Sequence, residues 1–138
     1  MLDLAIRQEG DAPVTVLFDR SLYSAKLFVQ CKLAIEQYDR DSMTRTIEDA
    51  VEDVYTSPVD VVYIRCSPEV ALERCINRRR KEESTTTLDF LQLLHNAHES
   101  AAACRFEPMN VRAVYTIDGN QSQEKVKADF IDQVLGDL

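Results

Sequence analysis

Glycine is scarce in this chain, which has three glycines, Gly10, Gly119 and Gly136, in 138 residues. A phosphate-binding loop of the G-x-x-x-x-G-K-[ST] type needs two closely spaced glycines followed by a lysine. No such run occurs in the sequence. A phosphate cradle of this type is therefore excluded within these residues, and any phosphate chemistry here has to use other groups.

Several further features are missing. The four cysteines are scattered and form no C-x-x-C pair, which argues against a zinc site or a disulfide framework. No apolar run approaches the roughly 18 residues of a membrane span, and the first residues form neither a secretory signal nor a transit peptide. No targeting segment is thus visible, and the expected compartment is cytoplasmic or mitochondrial. The net charge of −8 argues against a nucleic acid or a membrane surface as partner.

The apolar pattern predicts a single α/β domain over residues 1–138. Short β-branched runs at 14–19, 59–65 and 111–118 predict buried strands. Helical spacing is found, weakly, over Leu2–Glu9 and more clearly over 22–38, 43–55, 68–80, 88–105 and 124–135. Because strands alternate with helices and no hairpin signal separates strands, we expect a parallel sheet with helices on both faces.

The helix after the second of these strands carries a cluster of arginines. Ser67 and Pro68 form a typical helix start, and Arg74 and Arg78 lie one turn apart, ahead of Arg79, Arg80 and Lys81. Arginine suits bidentate binding of phosphate, so this cluster in an acidic chain indicates a small anionic ligand. The alternative is a solvated helix end paired with Glu82 and Glu83.

Each predicted strand ends in a charged residue, Asp19, Arg65 or Asp118. Ligands of open α/β sheets bind beyond the carboxyl ends of the strands. Asp19 could hold Mg²⁺ and Arg20 could meet a phosphate, or the aspartate could cap the next helix and pair with the arginine. His95 and His98 do not have zinc-site spacing and are expected to be partly buried, satisfied histidines.

Four segments in register resemble the deoxyribonucleoside kinase family, specifically its carboxyl-terminal two-thirds. They are Val16-Leu-Phe-Asp-Arg-Ser-Leu-Tyr-Ser-Ala-Lys26, Tyr63-Ile-Arg-Cys-Ser-Pro-Glu69, Glu73-Arg-Cys-Ile-Asn-Arg-Arg-Arg-Lys-Glu-Glu83 and Leu88-Asp-Phe-Leu-Gln-Leu-Leu-His-Asn-Ala-His-Glu-Ser100. The resemblance implies a P-loop-kinase-like fold and transfer of the ATP γ-phosphoryl group to a deoxynucleoside 5′-hydroxyl, with ATP and Mg²⁺ as cofactors. It also implies a homodimer.

The resemblance assigns roles to individual residues. Asp19 would help hold Mg²⁺, and Arg20 would lie by the nucleoside and the transferring phosphoryl group. An arginine-rich lid over about 74–84 would close on the ATP phosphates, and the loop after the last strand would lie against adenine. The lid arginines are Arg74, Arg78 and Arg80, the sugar 3′-hydroxyl acceptor is Glu83, and the adenine-loop residues are Asp118, Asn120 and Gln121.

A base-reading position of the family falls on Ala25. The resemblance implies that alanine here, where cytosine- and purine-restricted members carry aspartate, leaves room for the thymine methyl group. We therefore expect a thymidine-tolerant, pyrimidine-preferring enzyme.

Two family features have no counterpart in the sequence. The family's first strand with its phosphate loop, and its general-base carboxylate, would precede residue 1, so we expect a gap in the sheet between 14–19 and 59–65 and little activity from these 138 residues alone. One alternative is a non-catalytic remnant that dimerises or binds nucleotide. Another, a nucleoside monophosphate kinase fragment, explains the arginines but not Asp19-Arg20-Ser21 or His95-Asn-Ala-His-Glu99.

Overall fold

The computed structural model describes residues 2–9, 12–36, 58–80 and 85–137. The helix predicted over 43–55 lies outside the described residues, as does Glu83 with the rest of 81–84. None of the helices in the described ranges is both long and apolar enough to cross a membrane.

The described part of the chain forms one four-stranded sheet, in the order β2-β1-β3-β4. The strands are β1 (Leu2–Glu9), β2 (Ala12–Asp19), β3 (Val59–Arg65) and β4 (Val111–Asp118). β3 and β4 are parallel, whereas β1 is antiparallel to both of its neighbours, β2 and β3. The three predicted strands are thus confirmed, and they run in the same direction, as the predicted parallel sheet requires. β1, which was not predicted as a strand, runs antiparallel between β2 and β3.

The helix predicted over Leu2–Glu9 is wrong, since this segment is strand β1. Leu2, Leu4 and Ile6 are two residues apart, with Asp3 and Ala5 between them, and this spacing fits a strand as well as a helix. Two residues, Gly10 and Asp11, separate it from β2, and a Gly-Asp pair is a hairpin signal. β1 lies between β2 and β3, so it occupies the predicted gap and pairs with the backbone groups of both strands.

Within the described ranges four α-helices flank the sheet, and their starts follow the capping signals in the sequence. They are α1 (Leu22–Glu36), α2 (Pro68–Arg78), α3 (Leu88–Ala103) and α4 (Gln123–Phe130), the last continued by a π-helical turn over Ile131–Leu135. Ser67 caps α2, Thr87 caps α3 and Ser122 caps α4, and each side chain accepts a hydrogen bond from a backbone N–H in the first turn.

The end of α3 is closed by a left-handed residue that is not glycine. The backbone N–H of Phe106 donates to Ala101 and that of Arg105 to Ala102, which together form a Schellman motif. Arg105 has a φ of 51° and Phe106 a φ of 57°. This turn places the fully buried Phe106 ring in the core beside Ala101.

The sheet carries one hydrophobic cluster on each face, as expected for helices on both sides. Val61 and Tyr63 of β3 pack with α1, α3 and Phe106. Val62 packs with Ile117 of β4 and with Val134 of the π-helical turn. Because neighbouring strand residues point to opposite faces, β3 contributes to both clusters and forms the centre of the described core.

Candidate functional site

The carboxyl ends of β2, β3 and β4 lie at one edge of the sheet. Leu2 of β1 pairs with Asp19 on one side and with Val62 on the other, so β2 and β3 run in the same direction and end close together. Arg65 pairs with Asp118 at the ends of β3 and β4. The structure thus confirms that the three charged strand ends share an edge.

A first cavity at this edge, the Arg20 cavity, has a volume of about 200 Å³. It lies between α1, the end of β3, the start of α2 and α3. Arg20, with a φ of 71°, places its guanidinium carbon 5.2 Å from the centre of the Phe28 ring in the cavity wall. The polar residues that line the Arg20 cavity include Arg20, Ser24, Tyr63, Cys66, His95 and His98.

Both histidines are half-buried and bonded to backbone carbonyl groups, as the sequence predicted. His95 Nδ1 lies 3.1 Å from the Cys66 carbonyl oxygen, and His98 Nδ1 lies 2.8 Å from the Leu94 carbonyl oxygen. Burial lowers the pKa of His98, although its hydrogen bond to Leu94 opposes this effect. Burial therefore favours the neutral form of the His98 ring.

A second cavity, the Asp118 cavity, has a volume of about 460 Å³ and is lined by Arg65, Ser67, His95, Thr116, Asp118 and Asn120. The loop after β4 forms one wall. The Asn120 backbone N–H donates to Asp118 Oδ1 at 2.9 Å, and the Asn120 side chain accepts from the Ser67 backbone N–H at 2.8 Å. These bonds fix the loop against the start of α2. His95 lines both cavities, which makes them neighbours.

Arg74 of α2 is bonded to the same loop. Its Nη1 donates to the Gly119 carbonyl at 2.6 Å and its Nη2 to the Gln121 carbonyl at 2.9 Å. The guanidinium group therefore spans two carbonyl groups of the loop that the resemblance assigns to adenine. Its described contacts position this loop, and phosphate binding by Arg74 remains a prediction.

Glu99 of α3 joins two residues at the end of β3. It accepts hydrogen bonds from Tyr63 Oη at 2.8 Å, from Arg65 Nε at 2.9 Å and from Arg65 Nη2 at 2.8 Å. Burial raises the pKa of Tyr63, and the bond to Glu99 raises it further. For Glu99, burial acts to raise the pKa, but the bonds from Arg65 and Tyr63 outweigh it and hold the value below the ordinary one.

The other predicted residues lie around this edge. Arg78 Nη2 is 3.6 Å from Cys75 Sγ, Arg80 is exposed just beyond the end of α2, and the Gln121 side chain bonds Asp129 of α4. Ala25 is exposed on α1 and lines neither cavity, whereas the preceding residue, Ser24, is buried in the Arg20 cavity.

The exposed Asp19 at the end of β2 suits the magnesium role that the sequence suggests. Nucleotide-bound Mg²⁺ usually takes one or two carboxylates, its other ligands being phosphates and water. Within the described ranges no group of three histidine, cysteine, aspartate or glutamate side chains could hold a metal. Magnesium binding by Asp19 remains a prediction.

Sequence reasoning missed two arginine–carboxylate pairs. Arg112 of β4 donates through Nε and Nη2 to the buried Asp60 of β3, and Arg65 donates to Glu99. The partners are 52 and 34 residues apart. The sequence offered one hint, a charged residue at the second position of β3 and of β4.

Comparison with known proteins gives one consistent family. A family profile for deoxynucleoside kinases matches residues 4–138. Mouse deoxycytidine kinase is 27% identical over 142 residues, which cover 92% of this chain and 53% of that protein. Chicken deoxycytidine kinase 2 is 29% identical over 140 residues, covering 89% of this chain and 51% of its own length. The chain thus spans about half the length of these curated relatives.

A solved structure shares the fold. A deoxyadenosine kinase from M. mycoides, determined with bound dCTP, superposes with a TM-score of 0.69 at 19% identity, over 88% of this chain and 63% of that one. This likeness confirms the P-loop-kinase-like α/β fold. With the profile match over almost every residue and the site at the carboxyl edge of the sheet, it follows that the chain belongs to the deoxynucleoside kinase family.

Proposed function

We propose that this chain supplies nucleoside- and ATP-binding parts of a deoxynucleoside kinase, which transfers the γ-phosphoryl group of ATP to a deoxynucleoside 5′-hydroxyl. The observation that carries the proposal is the pair of neighbouring cavities that share His95. One contains Arg20, and the other is bounded by the loop that Arg74 holds. A donor and an acceptor bound side by side are what phosphoryl transfer requires, because its catalysis is mainly positioning and charge stabilisation.

The arginines supply the positive charge in this proposal. Arg20 would meet the transferring group from the nucleoside side, and Arg78 and Arg80 would bind the ATP phosphates from the lid. Arg74 would act indirectly, by holding the loop that contacts adenine. Mg²⁺, when bound with ATP near Asp19, would neutralise phosphate charge.

The nucleoside itself remains a proposal. The relatives named above are deoxycytidine kinases, and the solved neighbour is a deoxyadenosine kinase. We retain the thymidine-tolerant, pyrimidine-preferring hypothesis on the strength of Ala25 alone. Because Ala25 lines neither cavity, its base-reading role requires the base to lie on the exposed side of α1. A homodimer and a cytoplasmic or mitochondrial compartment likewise remain predictions.

We further propose that these 138 residues bind ATP and the nucleoside but transfer the phosphoryl group slowly or not at all, since they contain no glycine-rich phosphate loop. A non-catalytic module that binds nucleotide or pairs with another copy is the second candidate. The bonds of Arg74 to the Gly119 and Gln121 carbonyl groups favour this second candidate. A loop that the protein itself holds in place can keep its affinity for nucleotide even where no phosphoryl transfer takes place.

The test is calorimetric titration of the full chain with Mg-ATP, thymidine and deoxycytidine, together with a radiolabelled phosphate-transfer assay. We expect ATP binding that falls about tenfold or more in Arg78→Ala, because charged hydrogen bonds to phosphate are lost. Arg105→Ala, at the opposite edge of the sheet, is the matched control and should bind as the parent does.

The outcomes separate the hypotheses. Binding without transfer supports the proposal and leaves catalysis to groups outside these residues. Transfer that requires nucleoside and disappears in Arg78→Ala would show that the chain is active alone. If the chain binds neither ATP nor any of the nucleosides, the assignment of the site is wrong.

A further inference from the structure

Arg20 has a backbone conformation that residues other than glycine rarely adopt. Its φ is 71°, in the left-handed region, between the last residue of β2 and the start of α1. Such strain costs stability and persists where the surrounding structure maintains it, often at functional sites. The guanidinium carbon lies 5.2 Å from the centre of the Phe28 ring on α1. The strained residue thus reaches an aromatic ring that lines the Arg20 cavity.

An aromatic ring holds a cation differently from a carboxylate. The face of the ring attracts the positive charge as a whole, so the N–H donors of the guanidinium are not taken up one by one. The Phe28 ring is the contact of the Arg20 guanidinium within the described ranges, and no carboxylate of those ranges lies at ion-pair distance from it. Arg65, by contrast, donates through two of its nitrogens to Glu99. Arg20 is therefore held in place without the use of its hydrogen-bond donors.

The Phe28 ring is itself fixed by a neighbouring ring. Phe90 of α3 packs edge-on against it, with 5.4 Å between the ring centroids and an angle of 72° between the ring planes. Both rings are half-buried. Phe90 lies in the first turn of α3, where its backbone N–H donates to Thr87 Oγ1 at 3.2 Å. Two helices, α1 and α3, therefore hold the ring that Arg20 contacts.

We propose that Phe28 is a positioning residue, which holds the Arg20 guanidinium at the cavity wall with its N–H groups available to the transferring phosphoryl group. This rests on the proposed function, in which Arg20 meets that group from the nucleoside side. A carboxylate partner would compete with the phosphoryl oxygens for the same donors, whereas the ring does not. After transfer the same group is the 5′-phosphate of the product, so a deoxynucleoside 5′-monophosphate is the ligand that reports on Arg20.

The test is calorimetric titration of the full chain with thymidine and thymidine 5′-monophosphate, and with the corresponding deoxycytidine pair. The ratio of the two dissociation constants in a pair measures the contribution of the phosphate, because the contacts to base and sugar cancel. We expect the parent to bind the monophosphate about tenfold more tightly than the nucleoside, as one charged hydrogen bond allows. Arg20→Ala should remove most of this preference.

Two changes at Phe28 separate the charge of the ring face from the shape of the ring. Phe28→Leu removes the ring, whereas a trifluorinated phenylalanine at this position keeps its shape and withdraws electrons from its face. Each should lower the preference for the monophosphate about 2- to 5-fold, as a cation–π contact at an exposed site allows. A purely structural role of Phe28 would respond to Phe28→Leu but not to the fluorinated ring. The same fluorinated residue in place of Phe130, on the opposite face of the sheet, is the matched control and should leave the ratio unchanged.

The outcomes distinguish the possible failures. If the parent binds neither member of either pair, both the proposed function and this inference fail. If the parent does not prefer the monophosphate, or if Arg20→Ala keeps the preference, the role of Arg20 is wrong and this inference fails with it. If the preference depends on Arg20 but the fluorinated ring leaves it unchanged, only the role of Phe28 is wrong. If Phe28→Leu does not fold, the fluorinated ring decides alone.

Discussion

An arginine–carboxylate pair lies at each end of the β3–β4 strand pair, and the two differ in burial. At the amino ends Arg112, whose side chain is 55% exposed, donates through two nitrogens to Asp60, whose side chain is 2% exposed. At the carboxyl ends Arg65 donates through two nitrogens to Glu99, and these side chains are 56% and 33% exposed.

The same bidentate geometry therefore serves two purposes. The buried pair joins β3 to β4 directly beside the register shift between Val59 and Asp60, so it fixes how the strands align. The exposed pair joins β3 to α3 next to both cavities, where water and ligands can compete for its groups. The pair at the amino ends thus fixes the alignment of the strands, and the pair at the carboxyl ends lies where a ligand can bind.

The largest effect is expected at the buried end. Arg112→Ala leaves the Asp60 carboxylate without its partner. Breaking a fully buried pair costs about 3–5 kcal/mol of unfolding free energy, and we expect a smaller loss here because water can replace the 55% exposed Arg112 side chain. Chemical denaturation at neutral pH measures the loss, and one no larger than that of Glu99→Gln would contradict the comparison.

A second variant separates charge from packing. Asp60→Val combined with Arg112→Met removes both charges and keeps apolar volume, and replacement of a buried pair in this way is often neutral or stabilising. The double variant should therefore recover most of the stability lost in Arg112→Ala. If it does not, the pair acts through its shape and not through its charge.

An intermediate effect, visible mainly in the pH dependence, is expected at the exposed end. The pKa of Glu99 is held below its ordinary value of 4.5, so its contribution to stability is present above that pH and is lost as pH falls through the lowered pKa. The pKa of Tyr63 is raised above its ordinary value of 10.0, so its contribution is present below pH 10 and is lost as pH rises beyond it.

Two variants separate the loss of stability at low pH, the acid limb, from the loss at high pH, the alkaline limb. Glu99→Gln should flatten the acid limb, and Tyr63→Phe should flatten the alkaline limb. Near pH 7 the loss of the exposed ion pair itself should be small. Thermal unfolding from pH 3 to pH 11 measures both limbs. An alkaline limb that persists unchanged in Tyr63→Phe would show that another group causes it.

The smallest effect is expected from Arg105→Gly, in the turn before β4. Arg105 has a φ of 51°, a conformation that costs an L-residue about 1–2 kcal/mol and glycine almost nothing. After the greater chain entropy of glycine in the unfolded state is subtracted, we expect a gain of about 0.5 kcal/mol. Ala102→Gly, inside α3, is the control and should be destabilising. A loss in Arg105→Gly would show that its side chain matters more than the strain.

Local signals explain which parts of the fold could be predicted. The helix start at Ser67 and Pro68 and the apolar run of β3 depend on consecutive residues, and the structure has both where the sequence predicts them. β1 was mistaken for a helix because its apolar spacing fits either element, and its pairing with β2 and with the distant β3 decides between them.

The candidate site likewise has a part that the sequence could predict and a part that it could not. The charged strand ends Asp19, Arg65 and Asp118 could be placed at one edge from strand direction alone. The bonds of Arg74 to two loop carbonyls, and of Glu99 to Tyr63 and Arg65, could not be predicted, since they depend on distances between residues far apart in sequence.

The position of β1 also bears on how the chain assembles. Its pairing with β2 begins at Glu9 and Ala12, so this ribbon closes over two residues and can form within microseconds. Its pairing with β3 joins Ala5 to Val59 and Leu2 to Val62, across more than fifty residues, and such long closures slow folding because the loop entropy is lost before the contacts form. We therefore expect the β1–β2 ribbon to form early, and the pairing of this ribbon with β3 to limit the rate of folding.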